Sequence, residues 1–246
     1  MVSQRAREDT LVPPNLRTTR GEFTRMANRW PAHSRYTPCM LAFLLACAAP
    51  ETYPEGLEPL EDNTADWPKA TDDEEYPETV EIKSGEEDDY DWAHARGYVH
   101  AGMLPTWDVL QNPDVGVDRR RVDEWTVTED TDKDYSVSYT VNNVVHDVIT
   151  IDFDVAWIED VARGTDELPT AIAGRWEVVE PDGIIVALAG SFVLIYEAPD
   201  VSGLELIYHL NTAQRDPENP PKVMQDMYDS VVAVAAGDDL PVYEEE

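Results

Sequence analysis

The sequence predicts a single α+β domain in which a curved antiparallel β-sheet wraps around a long C-terminal helix. Between residues 125 and 210, most segments carry apolar residues at every second position, a pattern typical of strands with one buried face. Residues 220–237 instead carry apolar residues three and four positions apart, a pattern typical of an amphipathic helix. Because such a helix has to bury its apolar side, we expect it to pack against the sheet.

The C-terminal helix is predicted to run from Pro220 to Gly237. Asn219 is the candidate N-cap, and the two prolines that follow it have backbone angles suited to a first helical turn. Gly237 is a candidate C′ residue, with Pro241 shortly beyond it. The apolar stripe of this helix comprises Val223, Met224, Met227, Tyr228, Val231, Val234 and Ala235.

About six antiparallel strands are predicted before this helix. The first two of them form a hairpin that turns at Asn142 and Asn143, and a loop follows at residues 164–173. The predicted segments, in chain order, are a short helix at 103–111 and strands at 135–141, 149–157, 175–179, 184–188, 191–197 and 204–210.

Acidic residues dominate the chain. There are 51 Asp and Glu against 18 Lys and Arg, which gives a formal net charge of -33. Such a chain repels nucleic acids and anionic membrane surfaces, so DNA and RNA are excluded as partners. The two cysteines, Cys39 and Cys47, both precede the predicted domain, which therefore has no disulfide framework and no cysteine-based metal site.

The N-terminal region has the features of a secretory signal. Residues 1–39 contain seven arginines and no lysine, and a short apolar run over residues 40–47 follows. This run is too short to span a bilayer, which takes about 20 residues, but it suits the hydrophobic region of a signal peptide. We therefore predict a signal peptide over residues 1–46, with Met26 as an alternative start.

The end of this run resembles the lipobox of bacterial lipoproteins. Leu44 stands three positions before Cys47 and Ala46 directly before it, although Leu45 is bulkier than the usual residue at its position. The resemblance implies export, cleavage after Ala46 and lipid attachment at Cys47, which would anchor the chain to the membrane. The residue after this cysteine is Ala48 and not an aspartate, which resembles the sorting of lipoproteins to the outer membrane. The alternative is a buried apolar segment with an incidental cysteine.

Residues 47–90 are predicted to be the lipidated cysteine followed by a disordered acidic linker. Between residues 48 and 91 there are seventeen Asp or Glu, two lysines and five prolines, a composition that cannot offset the entropy of ordering. We expect a spacer; the alternative, a cation-binding arm, lacks the regular spacing of a calcium loop. The domain is then predicted over residues 91–241, with an acidic tail at 242–246.

The order of elements resembles the START-like superfamily, also called the Bet v 1 or polyketide-cyclase fold. Residues 97–101 leading into 105–110 resemble its first strand and helix, and 175–177 followed by 181–183 resemble its central hairpin. The chain from Ser191 onward resembles its closing strands and gripping helix. The resemblance implies a helix-grip fold with a cavity for lipids, polyketides or other apolar molecules. The alternative is a lipocalin-like closed barrel with the last helix packed outside.

Inward-facing apolar side chains would line such a cavity, and their alternative role is to pack in an ordinary filled core. The candidate ligand-cavity residues are Tyr139, Phe153, Trp157, Trp176, His209, Met224, Met227 and Tyr228.

No catalytic or metal-binding motif stands out in the sequence. The histidines have no partner at the spacing of a metal motif, and neither Gly-x-Ser-x-Gly nor a Gly-rich phosphate loop occurs. We therefore predict no catalytic residue, no metal and no cofactor. Arg119, Arg120 and Arg121 either hold an anionic headgroup or, as the better-supported alternative, pair with nearby carboxylates.

These observations favour a lipid-anchored envelope lipoprotein that binds or carries a hydrophobic small molecule without catalysis. Two alternatives stay open: a structural or interaction lipoprotein with a filled core and an acidic binding surface, and a cyclase- or dehydratase-like enzyme. A cavity of about 300 Å³ or more separates the first two hypotheses. A buried His or carboxylate facing that cavity would favour the enzyme.

Overall fold

The computed structural model describes residues 53–129, 131–179, 181 and 183–243, so the predicted signal peptide, Met26 and Cys47 lie outside the described residues. No helix in the described part has the length and apolar character needed to cross a membrane. The elements, in chain order, are β1 (Val80–Glu86), β2 (Asp91–Val99), α1 (Met103–Leu110), α2 (Pro113–Gly116), β3 (Glu124–Glu129), β4 (Val137–His146), β5 (Thr150–Thr165), β6 (Leu168–Val178), β7 (Ile185–Ala198), β8 (Val201–Thr212) and α3 (Asn219–Ala235).

The strands form one antiparallel sheet with the order β1-β2-β8-β7-β6-β5-β4-β3. Strand β2 pairs with the last strand, β8, and α1 and α2 lie in the connection that leads to the far edge strand, β3. Because β1 and β3 are the two edges, the sheet is open over the described residues. The predicted α+β helix-grip fold, a curved sheet with a long C-terminal helix, is confirmed, and the closed barrel is wrong.

Helix α3 buries its predicted apolar stripe against the inner face of the sheet. Met224, Met227, Tyr228 and Val231 are all buried. The hydroxyl of Tyr228 donates a hydrogen bond to the backbone oxygen of Tyr98 at 2.7 Å, which ties the helix to β2. The apolar side of α3 and the inner face of the sheet therefore share one core.

Helix α3 ends as predicted just before Gly237 but begins one residue earlier than the predicted N-cap requires. Gly237 has a φ of 86°, as expected of a C′ glycine just beyond the helix. Asn219 is the first helical residue, and Glu218 takes the N-cap position without a side-chain capping bond. The side chain of Asn219 instead donates to Oδ2 of Asp118 at 3.3 Å, so it serves a tertiary contact.

Residues 53–79, which we call the N-terminal strap, lie across the outer face of the sheet. Leu57 is fully buried and Ala65 is almost fully buried, although both belong to the segment predicted as a disordered linker. Residues 80–86 then form β1, which pairs with β2. The linker prediction is therefore wrong for residues 53–90, and the folded domain begins well before residue 91.

Polar contacts hold the strap to successive strands. The backbone N–H of Leu60 donates to the hydroxyl of Ser191 on β7 at 3.2 Å. The side-chain amide of Asn63 donates to the backbone oxygens of Ala95 and Leu206, at 3.0 and 3.1 Å. Further along, the rings of Trp67 and Tyr98 stack with centroids 5.0 Å apart. These long-range contacts outweigh the local composition on which the prediction of disorder rested.

The strap also explains why the segment at residues 164–173 was mistaken for a loop. Apart from the turn at residues 166–167, the segment belongs to β5 and β6, and residues 171–174 are buried at consecutive positions, without the alternation that marks a strand with one wet face. Arg175 donates to the backbone oxygen of Glu58 at 3.3 Å, so the strap covers the outer face next to this point. A strand that is buried on both faces loses its period of two.

Two other boundaries also differ from prediction. Asn142 and Asn143 lie inside β4, opposite Asp154 and Phe153, and the turn comes later, after His146. The side chain of Asn142 donates to the carboxylates of Asp152 and Asp154, at 2.6 and 2.9 Å, so it is paired across the strands. The strands predicted at 184–188 and 191–197 form one continuous strand, β7.

Truncation of the strap leucine tests whether the strap is part of the folded domain. Leu57→Ala should lower the free energy of unfolding by about 2–5 kcal/mol, because the lost side chain leaves a cavity in a closed contact. The measurement is urea unfolding of the purified chain, followed by circular dichroism.

Leu168→Ala is the matched control, because the same side chain is 77% exposed at the start of β6. It should change the free energy of unfolding by no more than about 0.5 kcal/mol. Equal, small effects of both substitutions would show that the strap is not packed in solution.

Candidate functional site

A cavity of about 50 Å³ lies between helix α3 and the inner face of the sheet. One wall comes from α3, one from strands β4 to β8, and the third from the chain between α2 and β3. The lining residues are Gly116, Val117, Asp118, Val122, Val141, Asn143, Phe153, Val155, Trp157, Trp176, Leu188, Tyr208, Val223, Met224 and Met227.

Five of the eight predicted cavity residues line this space. The five are Phe153, Trp157, Trp176, Met224 and Met227. Tyr139 is buried without lining the cavity, since its ring stacks on Trp157, with centroids 5.7 Å apart. Tyr228 lies closer to β2, where its hydroxyl bonds to the backbone.

His209 lies on the opposite side of the sheet from the cavity. Its Nε2 is 2.9 Å from Oε1 of Glu61 in the strap. Its neighbour Tyr208 faces inward and lines the cavity instead. Side chains of successive strand residues point to opposite faces, so only one of these two could reach the cavity.

Stacked aromatic rings form the sheet side of the cavity. Trp157 on β5 and Trp176 on β6 are paired residues across the strands, and their rings stack with centroids 4.5 Å apart. Gly190 on β7 makes room for this arrangement, because a Cβ atom there would lie 2.0 Å from the ring of Trp176. The resulting wall is flat, apolar and rigid.

The remaining part of the wall contains three polar side chains, Asp118, Asn143 and Tyr208. Burial raises the pKa of Asp118, and the hydrogen bond from Asn219 offsets part of this rise. Burial also raises the pKa of Tyr208, so its hydroxyl stays protonated at neutral pH. The cavity therefore offers an apolar surface with a few hydrogen-bonding groups.

Two of the three consecutive arginines pair with carboxylates, as the better-supported alternative predicted. Arg120 forms an ion pair with Asp226 on α3, and Arg121 forms one with Asp216. Arg119 instead donates to the hydroxyl of Ser230 at 2.7 Å.

The chain after α3 contacts the same cluster. The ring of Tyr243 packs against the guanidinium groups of Arg119 and Arg120, at 5.1 and 4.7 Å from its centroid. Its hydroxyl donates to the backbone oxygen of Asp226 at 2.8 Å. In the segment predicted as an acidic tail at 242–246, Val242 is exposed, but Tyr243 is packed against the domain.

Glu159 on β5 is a buried carboxyl group that the sequence analysis missed. It is fully buried, and its Oε2 accepts a hydrogen bond from the indole Nε1 of Trp107 at 2.6 Å. Its Oε1 has no hydrogen-bond partner among the described residues, and the same holds for the hydroxyl of Tyr139. Burial raises the pKa of Glu159 to about 8, against the lowering effect of the Trp107 bond, so the group is a neutral acid at pH 7.

The alternation of β5 contained a signal for this residue. Phe153, Val155 and Trp157 mark the inward face, and the same step of two places Glu159 inward as well. Trp157 belongs to the cavity wall, while Glu159 does not line the cavity. The carboxyl group therefore lies in the core beside the cavity.

Comparison with solved structures gives likenesses of low sequence identity. Human StAR-related lipid transfer protein 5 is 14% identical, with 66% of this chain and 84% of that chain covered and a TM-score of 0.48. A STAR-related lipid transfer protein from Xanthomonas axonopodis is 14% identical, with 62% and 88% covered and a TM-score of 0.39. The Zhui aromatase/cyclase of a Streptomyces species is 16% identical, with 65% and 89% covered and a TM-score of 0.34. No family model and no curated protein matches the chain.

Substitution of the buried acid should change how stability depends on pH. The carboxyl group of Glu159 ionises near pH 4.5 in the unfolded chain, whereas burial raises its pKa to about 8 in the folded domain. The stability of the fold therefore falls as the pH rises from 4.5 to about 8 and does not fall further for this reason at higher pH. Glu159→Gln keeps a neutral side chain, so its stability relative to the wild type should rise by up to about 5 kcal/mol between pH 4.5 and 9. Urea unfolding at a series of pH values measures this difference.

Glu177→Gln is the control, because Glu177 is an exposed residue on the neighbouring strand β6. Its stability curve should run parallel to that of the wild type. A parallel curve for Glu159→Gln as well would show that Glu159 is already ionised in the folded protein.

Proposed function

We propose that the domain binds a small apolar molecule in the cavity between α3 and the sheet. The observation that carries this proposal is the composition of the cavity wall, which combines stacked tryptophans, two methionines and aliphatic side chains with a few polar groups. A concave apolar surface with a few convergent polar groups is the usual form of a small-molecule site.

The size of the cavity determines how a ligand would enter. At about 50 Å³ it has room for about four water molecules, whereas sites for drug-sized ligands measure about 300–1,000 Å³. A larger ligand would have to displace Met224 and Met227, whose unbranched side chains adapt easily. The helix is fixed to β2 by Tyr228, so we expect the side chains of the two methionines to move before the helix itself does.

The small volume also favours a second function, that of a structural or interaction protein. In that case the side chains around the cavity serve only as core, and the acidic surface meets a partner. The net charge of -33 suits a cationic partner and excludes nucleic acid.

We propose a binding role without catalysis. Asp118 and Tyr208 are the titratable side chains in the described cavity wall. The Asp118 carboxylate accepts hydrogen bonds from Asn219 and from the backbone N–H of Arg120, so it is engaged in holding the structure together. A cyclase- or dehydratase-like reaction would require a general acid and a general base that both face the ligand.

We further propose that the chain is an exported lipoprotein anchored through Cys47, in the outer membrane. The support is the lipobox-like end of the apolar run at residues 44–47. Residues 48–52 separate Cys47 from the first described residue, Tyr53. The six residue steps from Cys47 to Tyr53 span at most about 22 Å, so a domain that begins with the strap would sit close to the membrane surface.

A fluorescent apolar probe tests the binding proposal. N-phenyl-1-naphthylamine would be titrated into the full chain carrying Cys47→Ser, which cannot be lipidated and needs no detergent. We expect saturable binding, which Val155→Phe weakens at least tenfold by filling the cavity and Met227→Ala strengthens by enlarging it.

Val127→Phe is the matched control, since Val127 lies on the edge strand β3 and is 40% exposed. It should leave probe binding unchanged, and circular dichroism would establish that each variant is folded. Absence of saturable binding, or equal binding by all variants, would contradict a ligand site in this cavity and leave the interaction protein as the better proposal.

Lipidation is tested by intact mass spectrometry of the chain isolated from membranes of its own host. We expect a mature chain that begins at Cys47 and carries a diacylglyceryl group, and we expect Cys47→Ser to abolish both cleavage and membrane association. Cys39→Ser should behave as the wild type does. An unmodified, uncleaved wild-type chain would refute the anchor without bearing on ligand binding.

A further inference from the structure

Three side chains converge on the outer face of the sheet, away from the cavity. Glu61 comes from the strap, His94 from β2 and His209 from β8. Oε1 of Glu61 lies 2.8 Å from Nε2 of His94 and 2.9 Å from Nε2 of His209. The three groups offer ligand atoms that all lie within 4.8 Å of one another. We propose that Glu61, His94 and His209 bind a divalent transition-metal ion of the Zn²⁺ type.

The donor set favours this class of ion. Imidazole nitrogens suit zinc and its transition-metal neighbours, whereas calcium and magnesium prefer sites made only of oxygen atoms. Two imidazoles and one carboxylate leave a fourth tetrahedral position, which water or another ligand can take. The strongly negative chain also raises the local concentration of cations.

A bound ion requires the two contacts of Glu61 to open and the nitrogens of His94 and His209, which lie within 4.8 Å of each other, to take the same spacing. Metal–ligand bonds of about 2.0–2.2 Å at tetrahedral angles place ligand atoms about 3.3–3.5 Å apart. The contacts of 2.8 and 2.9 Å would therefore open by about half an ångström, which a small side-chain rotation of Glu61 supplies. Aromatic neighbours hold the two histidine rings. The ring of Tyr90 stacks on His209 with centroids 4.4 Å apart, and the ring centroids of Trp92 and His94 are 4.7 Å apart.

Thr64 in the strap provides an outer-shell partner for His94. Its backbone N–H donates to Nδ1 of His94 at 2.9 Å, and its hydroxyl oxygen lies 2.9 Å from the same nitrogen. Without metal, His94 carries its proton on Nε2, which then donates to Glu61. With metal on Nε2, the proton moves to Nδ1 and the Thr64 hydroxyl accepts it, while the backbone N–H of Thr64, which has Nδ1 as its acceptor without metal, has to turn away from that nitrogen.

The cluster is accessible to solvent. The side chain of Glu61 is 39% exposed and that of His209 is 19% exposed, so an ion can enter from solvent. The side chain of His94 is buried, so Glu61 and His209 form the open side of the site. Metal binding would join the strap to β2 and β8 at one point and so stabilise the cover of the outer face.

Zinc titration of the full chain by isothermal calorimetry tests this site. The wild type should show a Zn²⁺ site that Glu61→Gln and His209→Gln weaken at least tenfold, and Mg²⁺ should not compete for it. Substitution is confined to these two residues because His94 is buried and its loss would disturb the fold. Cys39 and Cys47 are present in every variant, so any zinc bound by thiols contributes equally to each titration.

Thr64 supplies a matched pair of variants. Thr64→Val removes the hydroxyl acceptor with little change of shape and should weaken zinc about 10–100-fold, whereas Thr64→Ser should bind close to the wild type. Zinc should raise the midpoint of thermal unfolding of the wild type and of Thr64→Ser, and EDTA should reverse the rise. Identical zinc titrations for the wild type, Glu61→Gln and His209→Gln would overturn the proposal.

Discussion

The central strands of the sheet carry apolar side chains on both faces, and the rest of the domain depends on covering both. On β8, Leu206 and Tyr208 belong to the inner core, while Ile207 between them is buried on the outer face. Val193 on β7 is likewise buried outside the main core cluster. Burying one such side chain contributes about 1.5–3 kcal/mol, so neither face can be left to solvent without a large loss of stability.

Two very different segments provide these covers. Helix α3 covers the inner face with a continuous apolar stripe. The strap covers the outer face with few apolar side chains, such as Leu57 and Ala65, and with hydrogen bonds from Asn63 to the two strands beneath it. An irregular segment can cover a sheet in this way because its backbone groups bond to strand side chains and its own side chains bond to strand carbonyls.

The small cavity follows from the way α3 is attached. Tyr228 holds one side of the helix to β2. Met224 and Met227 on the same apolar stripe face the stacked rings of Trp157 and Trp176 across a cavity of about 50 Å³. The features that make this region a candidate ligand site are the same ones that complete the core.

The scarcity of basic residues shapes the electrostatics of the interior. The buried Asp91 has Arg215 as its partner, and Glu205 has Arg96. Glu159 receives only the Trp107 indole among the described residues, because 18 basic residues cannot accompany 51 acidic ones. A carboxyl group that is buried without a cation takes up a proton instead, and its raised pKa expresses this cost.

The sequence by itself determined the elements whose burial is one-sided. The stripe of α3 and the alternation from Phe153 to Trp157 are local patterns, since each depends only on which side of one element is wet. Three features depended on tertiary structure. The strap is ordered, residues 164–173 lie mostly in β5 and β6, and Glu61 meets two histidines. Each of these depends on partners far along the chain, and the contact from Glu61 to His209 spans 148 residues. Local composition and residue spacing do not predict these features, because the contacts that stabilise them come from residues that are distant in the sequence.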